Sequence, residues 1–126
     1  MIEIYDRKGF DRVATIDSPT LVNADLSDQD LTNGNFIQMD LQGANFSQSN
    51  LTDTDFRLCN LQGADFSNAN LNGADLSGAN LTGAKLTNAL LENTKLTGAI
   101  ISIASLSYLS KIPGINLDEL ELSEEG

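Results

Sequence analysis

Residues 64–83 read ADFSN ANLNG ADLSG ANLTG, four consecutive five-residue units built to one plan. Each opens on Ala (Ala64, Ala69, Ala74, Ala79), continues with Asp or Asn, and places Phe or Leu third (Phe66, Leu71, Leu76, Leu81). A small polar residue follows, and the unit closes on Gly or Asn. A period of five fits neither an α-helix at about 3.6 residues per turn nor a strand at about 2. Two positions in each unit ask for burial, and the closing position takes residues that tolerate positive φ. The chain therefore turns once per unit. A turn at regular intervals closes into stacked coils whose backbones hydrogen-bond at about 4.8 Å spacing. One large and one small side chain per unit fill a narrow interior, whereas two large ones would overfill it.

Outward from this stretch the rule holds in both directions. Every fifth residue from Leu21 to Leu106 is Leu, Phe or Ile. The residue two before it is mostly Ala, with Gly34, Ser49, Thr54, Cys59 and Thr94 among the replacements. The units Ala74–Gly78 and Ala79–Gly83 strongly resemble those of the pentapeptide repeat proteins, and the resemblance covers residues 19–108. It implies an all-β fold, a right-handed quadrilateral parallel β-helix with four units per coil. The array then holds about 4.5 coils and is about 20 Å long at the inter-strand spacing. Sorting the central residues by a 20-residue coil sends Phe46 and Phe66 to the second column, and Phe36 and Phe56 to the fourth. These columns face each other, and rings about 4.8 Å apart lie in the favourable stacking range.

Both ends of a solenoid need covering. Residues 1–18 read as a β-hairpin cap, with Ile2 and Ile4 alternating, a turn at Asp6–Gly9, and Val13 and Ile16 in the return strand. Arg7, Lys8 and Arg12 sit on it as a solvated face. Residues 109–126 read as a C-terminal cap. Pro113-Gly114 marks a turn, and Asn116–Glu119 matches a capping box with Ile115 and Leu120 as its hydrophobic staple. This predicts a short acidic helix over 117–123. Leu90 and Ile100 occupy outward positions that are usually polar. Two roles stay open for them: cover by the C-terminal segment, or a subunit contact. The chain is accordingly expected to be a monomer or a weak dimer through the C-terminal end.

The composition narrows the chemistry. The 126 residues include 18 acidic and 7 basic side chains, a formal net charge of -11, one Cys and no His or Trp. Without His there is no Ser-His-Asp or Cys-His nucleophile and no imidazole metal site. One Cys makes neither an internal disulfide nor a thiolate zinc site. Asp25, Asp30, Asp40, Asp55, Asp65 and Asp75 recur at the outward position before the central residue. A flat solvated face offers no cleft to raise their pKa for acid–base work, and it does not converge the six or more oxygens of a Ca²⁺ site. We therefore expect no enzyme, metal or cofactor. Cys59 takes an inward slot and packs beside Met39. So acidic a chain without a basic patch is not expected to bind nucleic acid directly. The N-terminus lacks signal-peptide character and no apolar run approaches the ~20 residues of a membrane span, so no membrane partner is expected and the location is read as cytoplasmic.

Two functions remain. Some pentapeptide repeat proteins bind type II topoisomerases by imitating the DNA duplex, so the resemblance makes a gyrase-directed DNA mimic the alternative. The distribution of charge weakens it. Nine acidic and three basic residues lie in 21–108, and five acidic and one basic in 109–126. Up the second column the outward residues run Asp25, Asn45, Asp65, Lys85, and up the fourth Asn35, Asp55, Asp75, Lys95. Only Asp55 and Asp75 are direct acidic neighbours, which limits repulsion between stacked positions. The favoured reading is a non-enzymatic structural or protein-interaction module for a protein partner whose identity the sequence does not specify. Ile37 and Leu58, bulky apolar residues on adjacent coils of the fourth face, form a candidate contact patch, joined by Leu90 and Ile100 nearer the C-terminal end.

Overall fold

The computed structural model describes residues 1–124. Each unit from Leu21 to Leu96 makes one corner of a coil. Two residues past the central side chain the backbone turns left-handed, with φ of 60° at Asn23, 59° at Asp53, 74° at Gly73 and 69° at Gly98. The next residue, the small one, donates its amide back to the central carbonyl, as Ala44 does to Leu41 at 3.0 Å. The following Asp or Asn then pairs in parallel with its counterpart 20 residues on, in ladders such as Asp25–Asn45–Asp65–Lys85 and Asn35–Asp55–Asp75–Lys95. Within one rung, Phe46 donates its amide to the Asp65 carbonyl at 2.8 Å and Asp65 donates to the Ala44 carbonyl at 2.9 Å.

The interior is largely apolar and buried. Central residues from Leu26 to Leu76 are fully buried, as are Ala44, Ala64, Ala69, Ala74 and Ala79. The phenylalanines stack within their columns, Phe36 on Phe56 at 4.9 Å and Phe46 on Phe66 at 5.2 Å. Across the tube they meet edge to face, with Phe46 and Phe56 at 5.3 Å. Polar side chains in the small slot are satisfied by carbonyls: Ser49 donates to Leu26, and Thr94 to Leu71. No buried side-chain nitrogen or oxygen among the described residues lacks a partner.

At the N-terminal end, strand β1 (Ile2–Tyr5) pairs antiparallel with β2 (Arg12–Ile16). Ile4 is buried against the core and closes the mouth of the tube. The hairpin joins the fourth face through two backbone bonds, Asn35 N–H to the Tyr5 carbonyl and Arg7 N–H to the Asn33 carbonyl, both 2.8 Å, and through Arg7 Nη1, which donates to the Asp53 carbonyl at 3.3 Å.

The C-terminal end departs from expectation in two respects. Leu106 is not the last central residue of the array. A short 3₁₀ turn at Ile103–Ser105 leads into α1 (Leu106–Leu109), whose Leu109 is buried over the end of the core. Nor is there a helix over 117–123. That segment is extended: Asn116 pairs with Lys95, and β4 (Glu121–Ser123) lies parallel to β3 (Ile100–Ser102). The partners are 21 residues apart instead of 20, so Leu117 follows Leu96 in register and Leu122 follows Ile101. The capping-box reading fails because Asn116 Oδ1 accepts the Asp118 amide, and Glu119 turns left-handed at φ 57° where a helix would need to continue. The segment is two further repeat units, displaced by one residue after the helical excursion. Residues 125–126 of the expected C-terminal cap lie outside the described residues.

The packing makes a direct prediction. Phe56→Ala should lower unfolding stability by about 3–5 kcal/mol through the cavity it leaves. Ala74→Leu should lower it by about 1–3 kcal/mol through overpacking. Urea denaturation followed by far-UV circular dichroism measures both.

Candidate functional site

The outward Asp and Asn residues have a specific local task. Along the chain the Oδ1 atom of each accepts the amide two residues on: Ser27 to Asp25 at 3.0 Å, Ser47 to Asn45 at 2.9 Å, Ser67 to Asp65 at 2.9 Å and Ser77 to Asp75 at 3.0 Å. Asp30 and Asp40 do the same for Thr32 and Gln42. This is the side-chain-to-backbone bond that favours Asp and Asn in turns. Hydroxyl and amide donors hold the carboxyls of Asp25, Asp30 and Asp65 below the ordinary range. That is the reverse of what a general acid at neutral pH requires. Among the described residues no cluster of His, Cys, Asp or Glu is arranged to hold a metal ion.

Asp55 differs from the other members of its ladder because it is buried. Burial alone would push its carboxyl up. Arg57 outweighs this, donating its backbone amide and Nε to Oδ1 (3.0 and 2.9 Å) and Nη2 to Oδ2 at 2.7 Å, so the carboxyl ends below its ordinary value. The fork-on-fork geometry neutralises the one place where two Asp residues stack, since Arg57 also interacts with the charge of Asp75. Cys59 is buried in the small slot, its Sγ donating to the Phe36 carbonyl at 2.8 Å, and burial pushes the thiol up to about 12. It is a packing residue held away from thiolate chemistry. Met39, one coil earlier in the same slot, is partly buried against the core.

The four apolar contact candidates separate. Ile37 is half-buried and Leu58 is 58% exposed. They share the fourth face on adjacent coils but not the same register line. Ile37 is level with Arg57, and Leu58 with Gln38 and Gly78. Leu58 occupies the left-handed turn slot at φ 60°, and a Cβ on Gly78 would stand 2.6 Å from its Cδ2. The side chain thus lies over a glycine that makes room for it. Ile100 and Leu90 do not act together. Ile100 is half-buried in β3, paired with Glu121 and covered by the C-terminal segment. Leu90 is 54% exposed and faces a groove of about 320 Å³ that also meets Tyr108, Lys111, Ile112 and Pro113. The strain at Leu58 was readable from its place two residues after Phe56, a slot filled by Gly78 and Gly98 on the following coils. Tyr108 carried no sequence signal of its role, because it acts from a helical excursion that the five-residue rule does not describe.

A stack of left-handed corners every five residues, linked by parallel bridges every 20, defines a solenoid of pentapeptide units. The pentapeptide-repeat family model matches eight copies over residues 20–57 and 59–98, and the chain belongs to this family. Proteins of the family fold as right-handed quadrilateral β-helices. Among solved structures, the chain is similar to a pentapeptide repeat protein of the Arabidopsis thaliana thylakoid lumen, with 25% identity, 85% of this chain and 67% of that one covered, and a TM-score of 0.50. It is also similar to a pentapeptide repeat protein from Nostoc PCC 7120, with 30% identity, 79% and 84% covered, and a TM-score of 0.37. A likeness to QnrB1, a plasmid-mediated fluoroquinolone resistance protein, has 21% identity, covers 94% and 69%, has a TM-score of 0.34, and concerns the fold alone. No curated protein sequence matches the chain. No helix among the described residues is long and apolar enough to cross a membrane.

The Asp55–Arg57 pair predicts a pH signature. The folded carboxyl lies below its unfolded value, so the pairing stabilises the fold above the ordinary carboxylate pKa of about 3.9 and is lost as pH falls through the lowered folded value. Asp55→Ala should cost about 1–2 kcal/mol at neutral pH. The gap to the parent should narrow on acidification toward pH ~3, as the parent's own carboxyl protonates. Asp55→Asn, which keeps an Oδ1 for the Arg57 amide, should cost less. Urea melts across pH check all three.

Proposed function

We propose that this chain is a non-enzymatic protein-interaction module whose fourth face, around Ile37 and Leu58, docks a protein partner. One observation carries the reading. Leu58 places a branched apolar side chain in solvent at φ 60°, where the same slot on other coils holds Gly, Asn, Asp, Gln or Glu. A left-handed backbone costs a residue with a Cβ roughly 1–2 kcal/mol. A side chain kept in solvent at that cost, without contributing to the core, is the kind of local conflict that marks a functional position. The tying of the outward carboxylates to backbone amides, with those of Asp25, Asp30 and Asp65 held below the ordinary range, supports the non-enzymatic part. The same carboxylates serve the corners of the coil, which favours docking over a DNA-mimicking field. The closed thiol of Cys59 suits a cytoplasmic setting.

Leu58→Asn should raise unfolding stability by about 1 kcal/mol by relieving the turn. Affinity co-purification from the native host should recover a partner with the parent chain and lose it with Leu58→Asp and with Ile37→Asp, both variants remaining folded. A partner retained by both variants removes the fourth face from the proposal. Inhibition or protection of gyrase supercoiling at stoichiometric protein would replace the module reading with the DNA-mimic one.

A further inference from the structure

The C-terminal end of the solenoid is finished on two faces and unfinished on the other two. On the fourth and first faces, the amides of Leu96 and Gly98 donate to Asn116 and Asp118 at 2.8 Å, and β3 is paired with β4. On the second and third faces no strand follows among the described residues, although on the third the Asn93 amide donates to the Pro113 carbonyl at 3.1 Å. One coil below, the amides of Phe66, Asn68 and Leu71 donate to the carbonyls of Lys85, Thr87 and Leu90. The corresponding amides of Leu86, Asn88 and Leu91 find no acceptor among the described residues. The Ala64 and Ala69 carbonyls take amides from Lys85 and Leu90, but at the top the Ala84 carbonyl has no partner among the described residues. The Ala89 carbonyl takes the Tyr108 hydroxyl at 3.2 Å, a side chain standing in for a missing strand.

The helical excursion over 103–112 covers the core without covering this edge. Leu106, Leu109 and Ile112 pack on the last coil. Between them and the edge run two open grooves. One of about 360 Å³ is lined by Leu86, Thr87, Asn88 and Tyr108. The second, of about 320 Å³, contains Leu90.

We propose that the unpaired backbone edge over Lys85–Leu91 receives an acidic, leucine-bearing peptide segment of a partner protein by strand addition, the segment bending with the edge at its left-handed corner, Asn88. Unpaired edge amides are templates for such pairing, with main-chain bonds supplying affinity and alternate side chains specificity. The structure contains its own precedent. Residues 115–123, INLDELELS, are an acidic segment that reaches the same end out of phase and pairs with its other two faces on either side of a left-handed corner at Glu119. Charge selects the same chemistry. Lys85 and Lys111, two of only seven basic residues in the chain, are exposed at the edge and its groove. Asp65 lies one coil below Lys85, and Glu92 at the far end of the groove is the acidic residue there. Leu90, Tyr108 and Ile112 offer the apolar contact for one large side chain of the incoming strand. The inference shares the protein-interaction reading but is independent of the Leu58 face, so either fails without the other.

The test uses the full chain, isotopically labelled, and a synthetic peptide of sequence INLDELELS. Titration should shift and protect from hydrogen exchange the amides of Leu86, Asn88 and Leu91. Lys85→Glu combined with Lys111→Glu should weaken binding at least tenfold. If that variant folds poorly, backbone N-methylation of alternate peptide residues gives the same loss against the parent protein. Three results overturn the proposal: no binding up to millimolar peptide, shifts confined to Leu96, Gly98 and Ile101 with release of the chain's own segment, or protection of the edge amides by a second copy of the chain before peptide is added.

Discussion

The bond from an amide to the Oδ1 of the Asp or Asn two residues earlier is the interaction on which the rest of this structure depends. It holds the outward residue against the corner and fixes the approach of the chain to each left-handed turn. The central side chain between the two is left pointing into the tube. Because Asp and Asn offer the same acceptor, they interchange along each ladder. The negative charge of the faces is in large part a consequence of how corners are made. Where two carboxylates do stack, at Asp55 and Asp75, Arg57 closes a bidentate pair over the buried one.

This bond also explains where the solenoid changes character. At Lys85, Leu90, Lys95 and Ile100 the outward residue has no Oδ1, so one whole circuit of the coil lacks it. That circuit is the one followed by the helical excursion. Two of its faces are rescued by residues 116–123, where Asn116 restores the acceptor. On the other two, the amides of Leu86, Asn88 and Leu91 stay unpaired among the described residues. The open edge and the loss of the corner bond therefore fall in the same stretch of sequence.

Most of the architecture was legible because its rule is local and repeats. Inward Leu and Phe, the small companion slot and one turn per unit follow from period and residue size; the 20-residue coil, and with it the facing Phe columns, followed from the resemblance to the pentapeptide repeat proteins. The C-terminal end was not legible in the same way. Leu117 and Leu122 keep the five-residue spacing but are shifted by one from Leu96 and Ile101, and a phase slip hides a repeat from a reading anchored on phase. Asn116–Glu119 also fits a helix start, and only the neighbouring coil, which supplies backbone partners, decides against it. Of the contact candidates, Ile37 and Leu58 lie on one face as their spacing requires. Leu90 and Ile100 separate because the returning segment covers one and passes the other by, a tertiary outcome that no local pattern encodes.

The central claim is that the acidic residues of the coil serve as corner acceptors, with their charge incidental to the fold. Equilibrium urea unfolding of a chain carrying Asp25→Asn, Asp30→Asn, Asp40→Asn, Asp65→Asn and Asp75→Asn together tests it most directly. A cooperatively folded protein is expected, its stability matching or exceeding the parent's to within about 1 kcal/mol, since every Oδ1 acceptor is kept and like charges are removed. A loss of more than about 3 kcal/mol would show that the carboxylates contribute as charges, and would contradict it.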